Sequence, residues 1–217
     1  MGFYSRYVFP HIVEWCLAGP DTEEQRRLAL ASAGGEVLEI GFGTGKNFLL
    51  YPKSVSRVIA VDCERMQPRK VLDRIAAAPV PITPIYQDAS RQLPFGDNSF
   101  DTVVTTFTLC SIDDVESAVQ EIGRVLKPTG SYLFLEHGHS TDPHVARQQK
   151  LLAPLVRVVG AGCRMNRQID HLISGSGLDI VALDRFVMPN TPRILGEMYR
   201  GAAKSMNYET EYRRHIW

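Results

Sequence analysis

The stretch Val37-Leu-Glu-Ile-Gly-Phe-Gly-Thr-Gly-Lys-Asn47 decides how this chain folds. Its first four residues are mostly apolar and predict a short buried strand. The glycines Gly41, Gly43 and Gly45 follow at once, and glycine accepts positive φ and lets backbone approach a ligand closely. We expect a polar-capped helix to begin near residues 44–47, with its free amides directed at that ligand.

A second apolar run, residues 59–61, ends in the carboxylate Asp62, twenty-one residues after Gly41. A glycine turn after one strand and an acid at the tip of the next is how a Rossmann-like sheet holds a nucleoside ribose. The spacing is Gly-x-Gly-x-Gly, whereas a dinucleotide fingerprint reads Gly-x-Gly-x-x-Gly, and a simple tight loop would use the same residues. Glu39 also disfavours a pyrophosphate, which prefers an uncompensated helix N-terminus, and suits a cationic sulfonium ligand.

The composition is that of one globular domain without a strong net charge. The chain has 217 residues, of which 44% are hydrophobic and 22% charged, with 24 Lys+Arg against 24 Asp+Glu. Because no basic tract is present to hold a phosphate backbone, we expect no nucleic-acid partner.

The cysteines and the apolar runs bear on the cellular compartment. Cys16, Cys63, Cys110 and Cys163 are widely spaced, which predicts free thiols in a reducing cytoplasm instead of a zinc site or disulfide framework. No charged segment precedes an apolar one at the start of the chain, and no apolar run approaches about 18 residues. We therefore expect neither a signal peptide nor an integral membrane segment, and a cytoplasmic location.

Strands and helices alternate along the chain, which predicts a parallel sheet with helices on both faces. Pro10 divides the aromatic leader into two short pieces, and Asp21 or Thr22 is expected to cap the next helix. The predicted strands are residues 37–40, 57–61, 83–87, 102–107, 131–135, 178–187 and 194–203. The predicted helices are residues 25–30, 48–51, 68–78, 113–125 and 143–175, and the last of these is expected to be interrupted at Pro154 and around residues 160–162. Residues 127–130 are predicted to form a turn.

Several motifs together resemble the class I S-adenosylmethionine (SAM)-dependent methyltransferases. Glu39, the three glycines and Asp62 are similar to motif I and the following acidic position of that family. The strings Leu93–Asp101 and Arg124–Gly130 resemble methyltransferases of the ubiquinone and menaquinone biosynthesis type. The resemblance implies an α/β fold with a Rossmann-like, seven-stranded, mostly parallel sheet, helices on both faces and an antiparallel last strand. It also implies SAM as cofactor and S-adenosylhomocysteine as product.

The resemblance divides a single methyltransferase domain, residues 1–217, into a helical leader (1–33), a SAM-binding half (35–137), an acceptor-side half (138–205) and a tail (206–217). Ligands of such a sheet bind beyond the carboxyl ends of its strands. By the family pattern, Asp62 accepts the ribose hydroxyls, Cys63 lies beside the adenine, and Asp88 accepts the adenine amino proton. The full set of expected cofactor contacts is Glu39, Gly41, Gly43, Gly45, Asp62, Cys63, Asp88, Ala89, Thr106 and Phe107.

The acceptor side offers one candidate base. The predicted fifth strand leads into Glu136 and His137, and His137 could take a proton from a thiol, hydroxyl or amine near neutral pH. The alternative is a histidine that only satisfies a local hydrogen bond. We expect no metal site, because the spacing to His139 and His144 straddles Pro143 and does not present one ligand face.

Short strings after the fifth strand resemble the thiol S-methyltransferases related to methyltransferase-like protein 7. These are Leu-Glu-His at 135–137, Gln148-Gln149 and the segment Gly162–Arg167. Those proteins carry a hydrophobic membrane anchor, whereas these 217 residues show no such stretch. The alternative for Cys163 and Arg164 is a buried thiol and a structural cation.

These observations predict a SAM-dependent methyltransferase that transfers a methyl group by direct SN2 displacement to a small, partly hydrophobic acceptor. A thiol, a phenol or a lipid-like amine fits equally. One alternative is an NAD(P)-dependent oxidoreductase, although no Tyr-x-x-x-Lys pair is found. Another is a non-catalytic SAM-binding regulator. The oligomeric state is left open by the sequence.

Overall fold

The computed structural model describes residues 9–160 and 162–206. Seven strands and their helices follow one another along these ranges, and β3 leads to β4 without a helix between them. The strands are β1 Gly35–Ile40, β2 Val55–Asp62, β3 Ile82–Tyr86, β4 Phe100–Thr106, β5 Leu126–His137, β6 Leu178–Val187 and β7 Glu197–Ser205. The helices are α1 Phe9–Cys16, α2 Pro20–Leu30, α3 Pro68–Ala77, α4 Val115–Val125, α5 Pro143–Val159, α6 Ile169–Gly175 and α7 Arg193–Gly196, with a 3₁₀ helix at Lys46–Leu49.

The seven strands form a single sheet in the order β3-β2-β1-β4-β5-β7-β6. The first five pair in parallel, whereas β7 runs antiparallel to both β5 and β6. This confirms the predicted seven-stranded, mostly parallel α/β fold. Because the parallel strands end at the same edge, the segments that follow β1, β2, β4 and β5 meet there.

The core lies on both faces of the sheet, since alternate residues of a strand point to opposite sides. Leu38 of β1 packs in one cluster with Val119 and Ile122 of α4. Its neighbour Val37 belongs to the cluster on the other side, with Val71 of α3. Strand β1 is therefore covered on both faces and fixes the position of the glycine loop that follows it.

Two helix predictions were wrong. Helix α5 continues through Pro154, where an interruption was predicted, and ends at Val159, next to the predicted interruption around 160–162. Proline has no backbone N–H, so the carbonyl of Lys150 loses its helical hydrogen bond. Because Lys150 is exposed, this carbonyl can accept a hydrogen bond from water instead. Helix α2 begins at Pro20 after an extended Gly19, with no side-chain cap from Asp21 or Thr22, because proline already supplies the φ of the first helical position.

Three further boundaries differ from the sequence prediction. The glycine loop leads into the 3₁₀ helix Lys46–Leu49, whose cap is left-handed Gly45 without a side-chain bond, and not into a polar-capped α-helix. Residues 127–130 lie inside β5 as a bulge, since Phe100 pairs with Leu126 and Thr102 already with Ser131. Strand β7 starts at Glu197 because residues 193–196 form α7.

Two predictions concern the ends of the chain. Helix α1 begins at Phe9 with Pro10 in its first turn, and the other predicted leader piece and the tail beyond 206 lie outside the described residues. Within the described ranges, no helix has both the length and the apolar character needed to cross a membrane.

Candidate active site

Asp62 and the glycine loop meet at the carboxyl edge of the sheet. Asp62 Oδ2 accepts the Gly43 amide at 2.8 Å, and Oδ1 accepts the Glu64 amide at 2.9 Å. Burial raises the pKa of this carboxyl, although both backbone bonds act in the opposite direction. Each oxygen of Asp62 thus accepts one backbone amide, and a carboxylate oxygen can accept more than one donor.

The three loop glycines all have positive φ, at +76°, +55° and +78° for Gly41, Gly43 and Gly45. A Cβ at Gly41 would overlap the side chain of Thr108, and one at Gly45 would come within 2.6 Å of Phe48. A Cβ at Gly43 would meet no atom within 4 Å. The loop is therefore packed at both ends and open in the middle, where backbone is accessible to a ligand.

A buried polar network joins β1, β4, α2 and the 3₁₀ helix. Glu39 accepts hydrogen bonds from Asn47 Nδ2 at 3.0 Å and from the Tyr51 hydroxyl at 2.7 Å. Arg26 Nη1 donates to Asn47 Oδ1 at 2.8 Å and to Thr106 Oγ1 at 2.7 Å. Burial raises the pKa of Glu39 to about 7 and lowers that of Arg26 to about 10. Both Glu39 oxygens are thus engaged by the chain itself.

Phe107 follows this network directly and has an unusual backbone. Its φ is +55°, which is rare for a residue with a bulky side chain and is found most often at functional sites. The Arg26 guanidinium lies 4.8 Å from the centre of its ring. Thr106 and Phe107 are therefore held by Arg26, which the sequence did not single out.

Glu14 ties helix α1 to the glycine loop. Its carboxylate accepts the Thr44 hydroxyl at 2.7 Å and pairs with Arg74 Nη2 at 2.6 Å and Lys46 Nζ at 3.4 Å. Partial burial opposes ionisation, but the bonds from Arg74 and Thr44 hold the pKa of Glu14 at about 2. Helix α1 is thus anchored beside the loop by charge.

The residues after β2 and β3 lie at the same edge. The Gln87 amide donates to the Asp62 carbonyl at 2.9 Å, which brings the neighbouring Asp88 close to Asp62. Asp88 is exposed, and its bonds from the Ser90 hydroxyl and amide lower its pKa. Cys63 is exposed and Ala89 is buried.

Glu136 links β5 to the same loop system. It is fully buried, and its Oε2 accepts the amides of Thr108 at 2.9 Å and Leu109 at 3.1 Å. Thr108 Oγ1 in turn donates to the Gly41 carbonyl at 3.2 Å. Burial raises the pKa of Glu136 to about 8. Glu136 therefore holds the segment after β4 against the glycine loop.

His137 lies next to Glu136 in a second cluster. Its Nδ1 is 3.7 Å from Cys163 Sγ, while Nε2 is buried and bonds no atom of the described residues. Burial lowers the pKa of this imidazole, which favours the neutral form. Cys110, which is also buried, adjoins this cluster.

The structure brings several of the expected cofactor residues together through hydrogen bonds. Gly43 contacts Asp62, and Glu39 reaches Thr106 through Asn47. His137 is connected to the loop through its neighbour Glu136 and Thr108. The sequence analysis missed residues whose side chains act across elements. They are Glu14, Arg26, Asn47, Tyr51 and Thr108, and no spacing in the sequence marks them.

Comparisons with known proteins agree with this fold. Residues 38–134 match the family described as methyltransferase domain. Human thiol S-methyltransferase TMT1B is 30% identical over 189 residues, covering 77% of this chain and 72% of that protein. Phosphatidylethanolamine N-methyltransferase of Cereibacter sphaeroides is 30% identical over 146 residues, covering 65% of this chain and 71% of that protein. The solved structure of the [4+2]-cyclase SpnF superposes with a TM-score of 0.66 at 17% identity, covering 85% of this chain and 80% of that one.

The fold is therefore that of the Rossmann-like α/β class. The chain belongs to the class I SAM-dependent methyltransferases, a family that implies the use of SAM. The match to rat TMT1B spans only about half of that protein, 55% of its length. The names of the relatives differ in the atom that is methylated, so the family alone leaves the acceptor open.

Proposed function

We propose that this chain binds SAM at the carboxyl edge of β1, β2 and β4 and transfers its methyl group to a small, partly hydrophobic acceptor, with a thiol as the first candidate. The observation that carries the proposal is the pairing of Asp62 with the open Gly43 backbone. A carboxylate whose oxygens can accept further donors, beside accessible backbone, fits a ribose diol.

The residues at the edge fit the rest of SAM as well. Asp88 and Ala89 are assigned to the adenine, with exposed Cys63 beside it, and Thr106 and Phe107 to the methionine part. Glu39 is assigned to this site as the carboxyl group beneath the loop, acting through Asn47. When bound, SAM supplies an electrophilic methyl group on a sulfonium centre.

The hydrogen bonds of the loop favour this ligand over a dinucleotide. A pyrophosphate is bound by convergent, free backbone amides. The amides of Gly41, Gly43 and Gly45 already donate, to the Val61 carbonyl, Asp62 Oδ2 and the Phe42 carbonyl respectively, each at 2.7–2.8 Å. The loop glycines therefore offer a phosphate no donors, which counts against the oxidoreductase alternative.

His137 is proposed as the general base for the acceptor. Its unpartnered Nε2 and lowered pKa suit a group that takes a proton near neutral pH. The match to TMT1B covers 77% of this chain, which supports a thiol acceptor. Exposed apolar residues of α5, among them Leu151, Leu155 and Val158, support a partly hydrophobic one.

The test is transfer of labelled methyl from SAM to three acceptors: thiophenol, phenol, and phosphatidylethanolamine in vesicles. We expect turnover with thiophenol, and a His137→Gln variant should lose about 10²-fold in kcat because general-base catalysis is worth that much. Exposed His171 provides the matched control, His171→Gln, with unchanged turnover. Binding of SAM with no transfer to any of the three would instead favour the non-catalytic regulator.

A further inference from the structure

Two thiols lie behind the imidazole that we assign as the base. We propose that Cys163, held in place by Cys110, is a positioning residue that keeps the His137 proton on Nδ1 and leaves Nε2 free to accept a proton from the methyl acceptor. This inference rests on the proposed function, because it gives the proposed base its competent form.

The two thiols are brought together by backbone contacts between distant segments. The Arg164 amide donates to the Cys110 carbonyl at 2.8 Å. The Arg167 guanidinium donates to the Leu109 carbonyl and, at 2.6 Å, to the Ile112 carbonyl. The loop after β4 and the segment after α5 are thus clamped against each other, which brings Cys163 close enough to Cys110 for each thiol to shift the pKa of the other.

The Cys163 sulfur faces the imidazole. His137 Nδ1 lies 3.7 Å from Cys163 Sγ, so a proton on Nδ1 has this sulfur as its acceptor.

The surroundings of Nε2 favour the same tautomer. This atom is buried without a partner among the described residues. A buried N–H without an acceptor is rarer and more costly than a buried lone pair without a donor. If Nδ1 carries the proton, Cys163 satisfies it and Nε2 keeps only its lone pair. The opposite tautomer would leave an N–H buried and unsatisfied.

The proposed step is a proton transfer. The acceptor S–H gives its proton to Nε2, the acceptor becomes a thiolate, and the imidazole becomes an imidazolium that keeps Nδ1–H against the Cys163 sulfur. The titratable groups near His137 are its neighbour Glu136 on β5, Glu197 on β7, Cys110 after β4 and Cys163 after α5. Arg167 acts on Cys163. Burial lowers the pKa of His137, whereas Cys110 and Glu197 raise it, so the neutral ring is favoured without being locked.

The tautomer can be measured directly. Protein labelled with ¹⁵N-histidine is examined by NMR spectra that correlate ring nitrogens with ring protons, and the His137 signals are assigned from their loss in His137→Gln. We expect protonated Nδ1 and unprotonated Nε2 in the wild type and in Cys163→Ser, which retains an acceptor. In Cys163→Val the Nε2–H tautomer should appear.

Kinetics separate positioning from a merely structural role. With thiophenol as acceptor, Cys163→Val should lower kcat about tenfold at unchanged KM for SAM, and Cys163→Ser should restore most of it. Nε2–H in the wild type, or a Cys163→Val variant that keeps both the tautomer and kcat, would overturn the inference. If the tautomers change as expected but no variant methylates thiophenol, the proposed function fails and the positioning role stands.

Discussion

At the scale of single residues, Gly43 is where backbone geometry and ligand access meet. It shares positive φ with Gly41 and Gly45, but it alone of the three has open space where a side chain would be. Gly177, far along the chain before β6, has the same two properties, with φ +85° and no atom within 4 Å of a Cβ. Substituting alanine at each of the two positions therefore distinguishes the loss of stability caused by positive φ from the loss of ligand binding caused by an added methyl group at the site.

Gly43→Ala and Gly177→Ala should lower the free energy of unfolding by a similar amount, about 1 kcal/mol, because each places alanine in the left-handed region. Only Gly43→Ala should weaken SAM binding, since its methyl group occupies the opening beside Asp62.

Gly41→Ala should lower the free energy of unfolding by roughly 3 kcal/mol, because its methyl group also overlaps Thr108. Chemical denaturation and calorimetry measure both effects. Equal SAM affinity in Gly43→Ala and Gly177→Ala would refute the assignment.

Glu39 should make stability depend on pH. Its pKa in the folded protein is about 7, above the usual 4.5, so its contribution is complete below pH 4.5 and is lost as the pH rises through 7. The unfolding free energy of the wild type should therefore fall relative to Glu39→Gln between pH 5 and 7. Parallel pH profiles of the two proteins would show that Glu39 is ionised in the fold.

At the scale of elements, helix α1 is held to the loop by one carboxylate with several partners. Glu14 is mostly buried, with side-chain exposure of 16%, and is paired with Arg74 and Lys46, which are exposed by 21% and 14%. Glu24 of α2 has a side-chain exposure of 58% and a long contact to Arg27, at 3.8 Å. The two residues form a natural comparison of an anchoring and a surface ion pair.

Glu14→Gln should lower the unfolding free energy by about 2 kcal/mol and speed hydrogen exchange in residues 10–16, because several charge-assisted bonds are lost. Glu24→Gln should change stability by less than about 0.5 kcal/mol. The difference between wild type and Glu14→Gln should vanish as the pH falls from 4.5 to 2, where Glu14 is protonated. Unchanged exchange in α1 would contradict the anchoring role.

The elements themselves were largely predictable, and the exceptions have physical causes. Strand β6 was predicted with its observed bounds, 178–187, because its turn signals are local. The predicted interruption at Pro154 was wrong, because a proline disrupts a helix only where water cannot replace the lost backbone hydrogen bond. The predicted side-chain cap of α2 was wrong, because the helix begins with a proline, which already has the φ of the first helical position.

At the scale of the whole molecule, the sheet brings together residues that the sequence keeps apart. Asp62 and Gly43 could be predicted as neighbours, because both follow strands that end at one edge. The contact of Arg26 with Asn47 and Thr106 could not, since Arg26 lies on a helix whose buried side depends on packing. The meeting of Cys110 and Cys163 depends in the same way on how α5 returns to the loop after β4.

The activity of the chain cannot be inferred from structural similarity alone. A cyclase shares the fold with a TM-score of 0.66, so the architecture alone does not require methyl transfer. The assignment therefore depends on the site, and above all on which nucleoside ligand it binds.

The most direct measurement is calorimetric titration of the protein with SAM, S-adenosylhomocysteine and NADH. We predict binding of both adenosyl ligands and none of NADH, with affinity reduced at least about tenfold in Asp62→Asn, since a pair of charge-assisted bonds to the ribose is lost. Asp179→Asn, at an exposed position on β6, should bind as the wild type does. Binding of NADH without SAM, or an Asp62→Asn variant with unchanged affinity, would contradict the account.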